Sequence, residues 1–141
     1  MINFTNLTTS NIDFSTFKNL GEKILRQEGI DKDEEINCIF TDNSTIQELN
    51  RKYRGIDMPT DVLSFSFIEG ENSGYRDKMF GDVYISVQMA EQNAKRYKHN
   101  LFEELKLLFV HGILHLLGYK DEHQKDRKQM KEKESFYLSQ G

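Results

Sequence analysis

Tryptophan is absent from this chain of 141 residues, and cysteine and proline occur once each. A single cysteine, Cys38, excludes an internal disulfide, so the fold cannot depend on a disulfide framework. Cys38 lies within the apolar segment 36–40, which favours a small core residue over a reactive nucleophile. The first ten residues lack a basic stretch followed by an apolar one, so the sequence predicts no signal peptide.

Long hydrophobic runs are also missing. The most apolar segment, 107–117, is shorter than the roughly 20 residues that span a bilayer, and it contains two histidines. We therefore expect no association with a membrane and a cytoplasmic location. Hydrophobic residues at 37% and charged residues at 30% are typical of globular proteins, and the length fits one domain over residues 1–141.

An excess of basic residues is lacking as well. Nineteen basic and 23 acidic residues give a formal net charge of −4. Proteins that bind nucleic acid through phosphate contacts usually carry a basic excess or a basic stripe. The total charge therefore argues against binding to naked nucleic acid and favours protein partners, although a local basic cleft is compatible with it.

Apolar spacing and capping residues predict four to five helices. Asp13 precedes apolar residues three or four positions apart, which predicts a first helix ending at Gly29. Ser44 and Gln47 have the spacing of a capping box at the start of a second helix, whose apolar positions include Tyr53. Further helices are predicted from Ser86 through 97, over 102–117 with a stop at Gly118, and over 124–138.

Alternating apolar residues predict about four strands. In the third strand Leu63, Phe65 and Phe67 share one face. The third and fourth strands form a hairpin-like pair, with a loop at 68–79 between them. The predicted fold class is therefore α+β, a single domain with a small mixed sheet packed against helices. The four strands are predicted at residues 2–4, 36–40, 62–67 and 80–85.

Three of the four histidines fall in the segment HGILHLLGYKDEH, residues 111–123. His111 and His115 are four residues apart, so they lie on the same face of an apolar helix. A lone histidine on such a helix is usually a satisfied core residue, but burying two imidazoles without partners costs several kcal/mol. Both histidines are explained if they bind one divalent ion, which places a metal site on a buried helix.

A third ligand must come from the segment beyond Gly118, where the chain can reverse. Asp121 and His123 both lie within reach of that turn. Three protein ligands leave a coordination position open for water, which is typical of catalytic rather than structural zinc.

The residue after the first histidine decides against one class of zinc enzyme. Zinc peptidases with the HExxH motif carry a glutamate general base there, and this chain has Gly112. A glycine cannot accept a proton, so a peptidase is disfavoured. We expect Gly112 instead to leave room beside the ion.

Three separated motifs resemble the YbeY family of metal-dependent endoribonucleases. They are LNRKYRGIDMPTDVLSFSF, GDVYIS and HGILHLLGY, and the similarity in order and spacing covers about residues 49–121. The resemblance implies single-strand-specific hydrolysis of RNA phosphodiester bonds with one zinc ion per chain, in 16S ribosomal RNA 3′ end maturation and ribosome quality control. It also implies single-stranded RNA and the ribosome or its proteins as partners, with no role for DNA.

The family motif His-x3-His-x5-His implies the ligands His111, His115 and, at the third position, Asp121 in place of a histidine. His123 substitutes only if the turn is longer. An anionic third ligand lowers the net charge of the metal centre, so we expect a higher pH optimum than with three imidazoles.

Arg54 matches the arginine of the upstream family motif, which implies a catalytic role. Its planar guanidinium can bind a phosphate through two hydrogen bonds and stabilise charge in the transition state. Taken without the motif, an arginine near a helix end is a solvated surface group. Asp82 is a candidate for orienting a histidine, and no residue stands out as general base. Phe65, Phe67 and Tyr119 could stack on bases, but core positions are favoured for all three.

Two other functions remain open at this stage. One is a ribosome-assembly binding factor whose zinc is mainly structural. The other is a zinc hydrolase of another bond, such as an amide, which the missing glutamate disfavours. Two imidazoles and a carboxylate also suit divalent ions other than zinc, including manganese and nickel.

Overall fold

The computed structural model describes residues 1–31, 33–66 and 79–140. These residues form a mixed sheet of four strands with five helices around it, which confirms the predicted α+β class. In chain order the elements are β1 (Ile2–Asn6), α1 (Phe14–Gln27), β2 (Glu35–Thr41), α2 (Asn43–Arg54), β3 (Val62–Ser66), β4 (Met79–Ser86), α3 (Val87–Tyr97), α4 (Leu101–Leu116) and α5 (Gln124–Gln140).

The sheet has the strand order β1-β2-β4-β3. Three strands, β1, β2 and β4, run parallel, and β3 pairs antiparallel with β4, as predicted for the hairpin-like pair. Residues 68–78 of the predicted loop at 68–79 and the last residue of the predicted third strand, Phe67, lie outside the described residues, and Met79 belongs to β4 rather than to the loop. Cys38 is fully buried in the central strand β2, and this burial raises the pKa of its thiol, so it is a protonated core residue.

Helix starts follow the predicted capping residues in two cases and differ in a third. The side chains of Asp13 and Ser86 accept hydrogen bonds from amides of the first turn of α1 and α3. The N-cap of α2 is Asp42, so the predicted capping box at Ser44 and Gln47 is wrong. Strand β2 ends directly before Asp42, whose extended backbone and carboxylate start the helix two residues earlier than the serine would.

Helix α4 is the central helix of the core and packs on β3 and β4, with α1, α3 and α5 also in contact. Gly112 faces the sheet, where an added Cβ would lie 2.6 Å from Val83 Cγ1 and 3.1 Å from Val62 Cγ2. Ser64 Oγ donates a hydrogen bond to the Gly112 carbonyl at 2.9 Å. The expectation that Gly112 leaves room beside a metal ion is therefore wrong, because the glycine permits close packing of α4 on the sheet.

The end of α4 directs the chain back toward its own last turn. Gly118 has a φ of +103°, a conformation that favours glycine, and the predicted helix stop at this residue is confirmed. The amide of Tyr119 donates to the carbonyl of Leu114 at 3.1 Å, which closes the turn. This reversal brings residue 121 beside the C-terminal half of α4. Among the described residues, no helix combines the length and apolarity needed to cross a membrane.

Candidate metal centre

The structure brings three potential metal ligands together at the C-terminal end of α4. His111 Nε2 lies 3.0 Å from His115 Nε2, and Asp121 Oδ2 lies 3.3 Å from His115 Nε2 and 3.6 Å from His111 Nε2. Two atoms that bind one tetrahedral zinc at about 2.0–2.1 Å are separated by about 3.3 Å. The donor set and its spacing therefore fit a divalent ion such as zinc.

The second ring nitrogen of His111 is fixed by a residue that sequence reasoning missed. Glu134 on α5 places Oε1 2.6 Å from His111 Nδ1, and its side chain is only 12% exposed. A carboxylate beside Nδ1 favours the tautomer with the proton on Nδ1, so the lone pair of Nε2 is free to bind a metal. The predicted candidate for this role, Asp82, instead accepts a hydrogen bond from Asn37 on the neighbouring strand at 3.0 Å.

The two imidazoles have opposite pKa shifts. Burial disfavours the charged form of His111, but the hydrogen bond and charge of Glu134, with Asp121 and Asp61, outweigh it and raise the pKa of His111. Burial and the neighbouring charge of His111 lower the pKa of His115 despite the attraction of Asp121. Both rings must be neutral at Nε2 to bind an ion, so metal and protons compete at this site.

His123, the alternative third ligand, is exposed at the start of α5, where its carbonyl accepts the amide of Arg127. Across residues 1–31, 33–66 and 79–140, the group of side chains close enough to share an ion consists of His111, His115 and Asp121. The structure thus brings together the three residues that the family spacing implies, and His123 is not part of the group.

The three side chains open onto a cleft of about 730 Å³ between β3 and the turn after α4. Arg54, at the end of α2, lines the same cleft. Its Nη2 donates to the carbonyl of Ser64 at 2.8 Å, and its guanidinium carbon lies 5.5 Å from the ring centroid of Phe65. These two contacts hold the guanidinium on β3, on the wall of the cleft that contains the histidines.

The charges on the cleft wall are mixed. Among the described lining residues, Arg54 and Lys120 are cationic, and Asp61, Asp121 and Glu122 are anionic. The described wall therefore carries a formal charge of −1 with neutral histidines. A divalent ion at the site would add two positive charges and bring this sum to +1, which would favour binding of a phosphate group.

Comparison with known proteins supports the resemblance seen in the motifs. The family Endoribonuclease YbeY matches residues 3–141 of the chain. The chain belongs to the YbeY family. Two relatives with the name Endoribonuclease YbeY come from Pelotomaculum thermopropionicum and Sulfurovum sp.. The first is 45% identical over 119 residues (83% of this chain, 78% of the relative), and the second is 42% identical over 136 residues (95% and 86%).

A solved structure has the same fold as this chain. The solution structure of TM1509 from Thermotoga maritima superposes with a TM-score of 0.69 at 32% identity, covering 98% of this chain and 87% of that protein. The α+β fold of this chain is therefore also the fold of that solved protein. The motif resemblance over residues 49–121 extends to nearly the whole chain.

Proposed function

We propose that this YbeY protein is a single-strand-specific endoribonuclease that hydrolyses RNA phosphodiester bonds with one divalent ion, zinc, bound by His111, His115 and Asp121. The observation that carries the proposal is the triangle of ligand atoms, with sides of 3.0–3.6 Å, in a cleft that Arg54 also lines. Relatives at 42–45% identity are named endoribonucleases. The proposed substrate is ribosomal RNA near the 16S 3′ end, with the ribosome or its proteins as partners.

The residues of the proposed site have separate roles in hydrolysis. When bound, the ion supplies Lewis-acid activation of water or of a phosphoryl oxygen. Glu134 keeps the His111 proton on Nδ1 and fixes the ring orientation. One N–H group of Arg54 donates a hydrogen bond to the Ser64 carbonyl. The other N–H groups of the guanidinium can bind a phosphate and stabilise the charge that develops in the transition state.

The geometry also bears on the alternatives. A glutamate at position 112, as in HExxH peptidases, would place its Cβ 2.6 Å from Val83 Cγ1, so α4 could not pack on the sheet as it does, which argues against an amide hydrolase of that type. A ribosome-assembly factor with a structural ion is favoured by one observation, the net charge of −4, which suits protein partners better than naked RNA. Three protein ligands are the number found in catalytic zinc sites, and this supports the enzyme.

Metal content and RNA cleavage, measured in parallel, test the proposal. Mass spectrometry of the native protein should find about one zinc per chain, lost in His115→Ala and Asp121→Ala and retained in the matched control His123→Ala. Cleavage of a single-stranded RNA should follow the metal. Arg54→Lys should keep the ion and lose about a hundredfold in cleavage rate, because a lysine cannot reproduce the planar fork.

Each contrary result points to a definite revision. Zinc retained by Asp121→Ala but lost from His123→Ala moves the third ligand to His123. A different ion in the native protein replaces zinc in the assignment. A full complement of metal with no cleavage of any single-stranded RNA overturns the endoribonuclease and favours the assembly factor.

A further inference from the structure

An exposed aromatic side chain stands at the C-terminal end of α2. Tyr53 is 58% exposed, although helical spacing had grouped it with the apolar positions of the helix. Its ring meets the ring of Phe65 on β3 edge to face, at 5.4 Å between centroids. Phe65 in turn contacts Tyr84 on β4 at 6.0 Å. We call Tyr53, Phe65 and Tyr84 the aromatic row; its inner part is supported by the sheet and its outer ring is open to solvent.

The aromatic row is continuous with the metal cleft. Phe65 lines the cleft with the two histidines, and Arg54 lies over the Phe65 ring. Lys52 places Nζ 5.3 Å from the ring centroid of Tyr53. The aromatic row therefore extends from the cleft to the surface, with Arg54 beside the Phe65 ring and Lys52 beside the Tyr53 ring.

Lys52 and Arg54, the charged groups in contact with Tyr53 and Phe65, are both cationic, so this surface is suited to binding a polyanion. A third basic residue nearby, Arg51, forms an ion pair with Glu48 one turn earlier, so its charge is already partly neutralised. Rigid aromatic rings flanked by cations are what proteins use to hold single-stranded nucleic acid, because every base has a π face and every linkage has a phosphate.

We propose that the aromatic row is a base-stacking subsite, where an unpaired RNA base stacks on Tyr53 and the adjoining phosphates contact Lys52 and Arg54. The inference rests on the proposed function, since it places the stacked nucleotide next to the phosphate that is cut. A base within a duplex is already paired and stacked on its neighbours. Stacking on Tyr53 therefore selects unpaired RNA at a surface outside the metal ligands.

Rapid-mixing binding measurements test the subsite before cleavage proceeds. The metal-loaded protein is mixed with a short single-stranded RNA that carries a terminal fluorescein and one internal 2-aminopurine, whose emission falls when the base stacks. Tyr53→Ala should weaken binding about tenfold and abolish most of the 2-aminopurine quenching, because one base–aromatic stack is lost. Tyr53→Phe keeps the π face and should bind like the native protein.

A matched control comes from another exposed tyrosine at a helix end. Tyr97, 61% exposed at the end of α3, is not among the residues that line the cleft, and Tyr97→Ala should leave binding and quenching unchanged. Affinity for a fully paired duplex of the same sequence should not respond to Tyr53→Ala. Circular dichroism and metal content of each variant should match the native protein, because both tyrosines lie at the surface.

The outcomes separate the two proposals. Native-like binding by Tyr53→Ala, or equal weakening by Tyr97→Ala, overturns the stacking subsite whether or not RNA is cleaved. Binding that depends on Tyr53 without cleavage overturns the endoribonuclease and supports the subsite. A native protein that does not bind single-stranded RNA overturns the subsite, and the exposed row is then assigned to contact with a protein.

Discussion

Among single residues, Asp121 determines the charge of the proposed ligand set. It supplies a carboxylate where the family motif has a third imidazole, and its Oδ2 lies 3.3 Å from His115 Nε2. A carboxylate ligand reduces the net positive charge of a bound ion, so the ion acidifies a water ligand less and attracts a phosphate less strongly.

Replacing this residue tests the role of its charge. We expect Asp121→His to shift the rising limb of the pH–rate profile for RNA cleavage downward by about one pH unit, because three neutral imidazoles leave more charge on the ion. The measurement compares profiles at saturating metal, with Glu122→His, one residue further along the same turn, as the control. Coincident profiles for the native protein and Asp121→His would contradict the charge argument.

Single residues also show where sequence reasoning succeeds and where it stops. The histidine pair was predictable because helical spacing alone puts His111 and His115 on one face. The role of Gly112 could not be predicted, because the side chain that excludes a Cβ at this position, Val83, comes from a strand distant in the sequence. The exposure of Tyr53 was also missed, since periodicity reports the spacing of apolar residues and not whether another element covers them.

Among the elements, α5 supports the metal face of α4. Its sequence is charged along most of its length, so nothing in it singles out the one carboxylate that faces His111. The structure identifies that carboxylate as Glu134, 2.6 Å from Nδ1. Partners of this kind depend on how two helices pack, and they are therefore invisible until the tertiary contacts are known.

We expect Glu134→Gln to lower metal affinity about 10- to 100-fold, the usual effect of removing an outer carboxylate from a ligating histidine. The amide keeps the size of the side chain and loses the charge that favours a basic imidazole. Competition with a chromogenic chelator measures the affinity. Glu132→Gln, an exposed neighbour on the same helix, is the matched control and should bind metal like the native protein. Equal affinities for all three proteins would show that α5 does not tune the site.

A residue at the end of α1 contacts both the turn after α4 and helix α5. Glu28, at the end of α1, accepts hydrogen bonds from the hydroxyl of Tyr119 at 2.7 Å and from the hydroxyl of Tyr137, and it pairs with Lys133 at 3.4 Å. Tyr119 precedes Asp121 in the turn, whereas Lys133 and Tyr137 flank Glu134 on α5. One carboxylate therefore connects the segment that carries the proposed third ligand, Asp121, to the helix whose Glu134 contacts His111.

Glu28→Gln should destabilise the protein by about 1–3 kcal/mol at pH 7, since its tyrosine partners lose a charged acceptor and the ion pair with Lys133 is lost. Burial opposes ionisation of Glu28, but the bonds from Tyr137 and Tyr119 and the charge of Lys133 outweigh it and lower its pKa below the ordinary value of 4.5. A lowered folded-state pKa contributes stability that is present above that ordinary value and is lost as pH falls through the folded-state value.

Urea unfolding at a series of pH values measures this contribution. The difference between the native protein and Glu28→Gln should be largest near neutrality and should shrink as the solution becomes more acidic than the pKa of Glu28. Glu22→Gln, an exposed change on the same helix, should track the native protein throughout. A difference that does not vary with pH would assign the loss to packing rather than to the charge of Glu28.

For the molecule as a whole, the sequence predicted the class of the fold better than its topology. Strand and helix positions follow local periodicity, and β3 with β4 was predicted as a pair because the two are adjacent in the chain. The parallel pairing of β2 with β4 joins strands separated by α2 and β3, so no local pattern reports it. That pairing matters for function because α4 packs on β3 and β4. The positions of these two strands in the sheet therefore determine where the cleft lies.

The placement of the site relative to the core predicts what removal of the metal does. The core is formed by the sheet together with α1, α4 and parts of α3 and α5, whereas the side chains of His111 and His115 are 25% and 27% exposed at its edge. The apolar core therefore closes without help from an ion. Chelation should leave the far-UV circular dichroism unchanged and lower Tm only by the few degrees that loss of a bound ligand produces.

The same treatment should stop RNA cleavage and weaken RNA binding, because the described cleft wall returns to a formal charge of −1. Adding zinc back to the chelated protein should restore both, and His115→Ala should respond to neither step. Fluorescence anisotropy of a labelled single-stranded RNA and circular dichroism on the same samples give the comparison. Loss of the folded spectrum on chelation would show that the ion is structural. It would then favour the ribosome-assembly factor, because an ion that holds the fold together need not take part in hydrolysis.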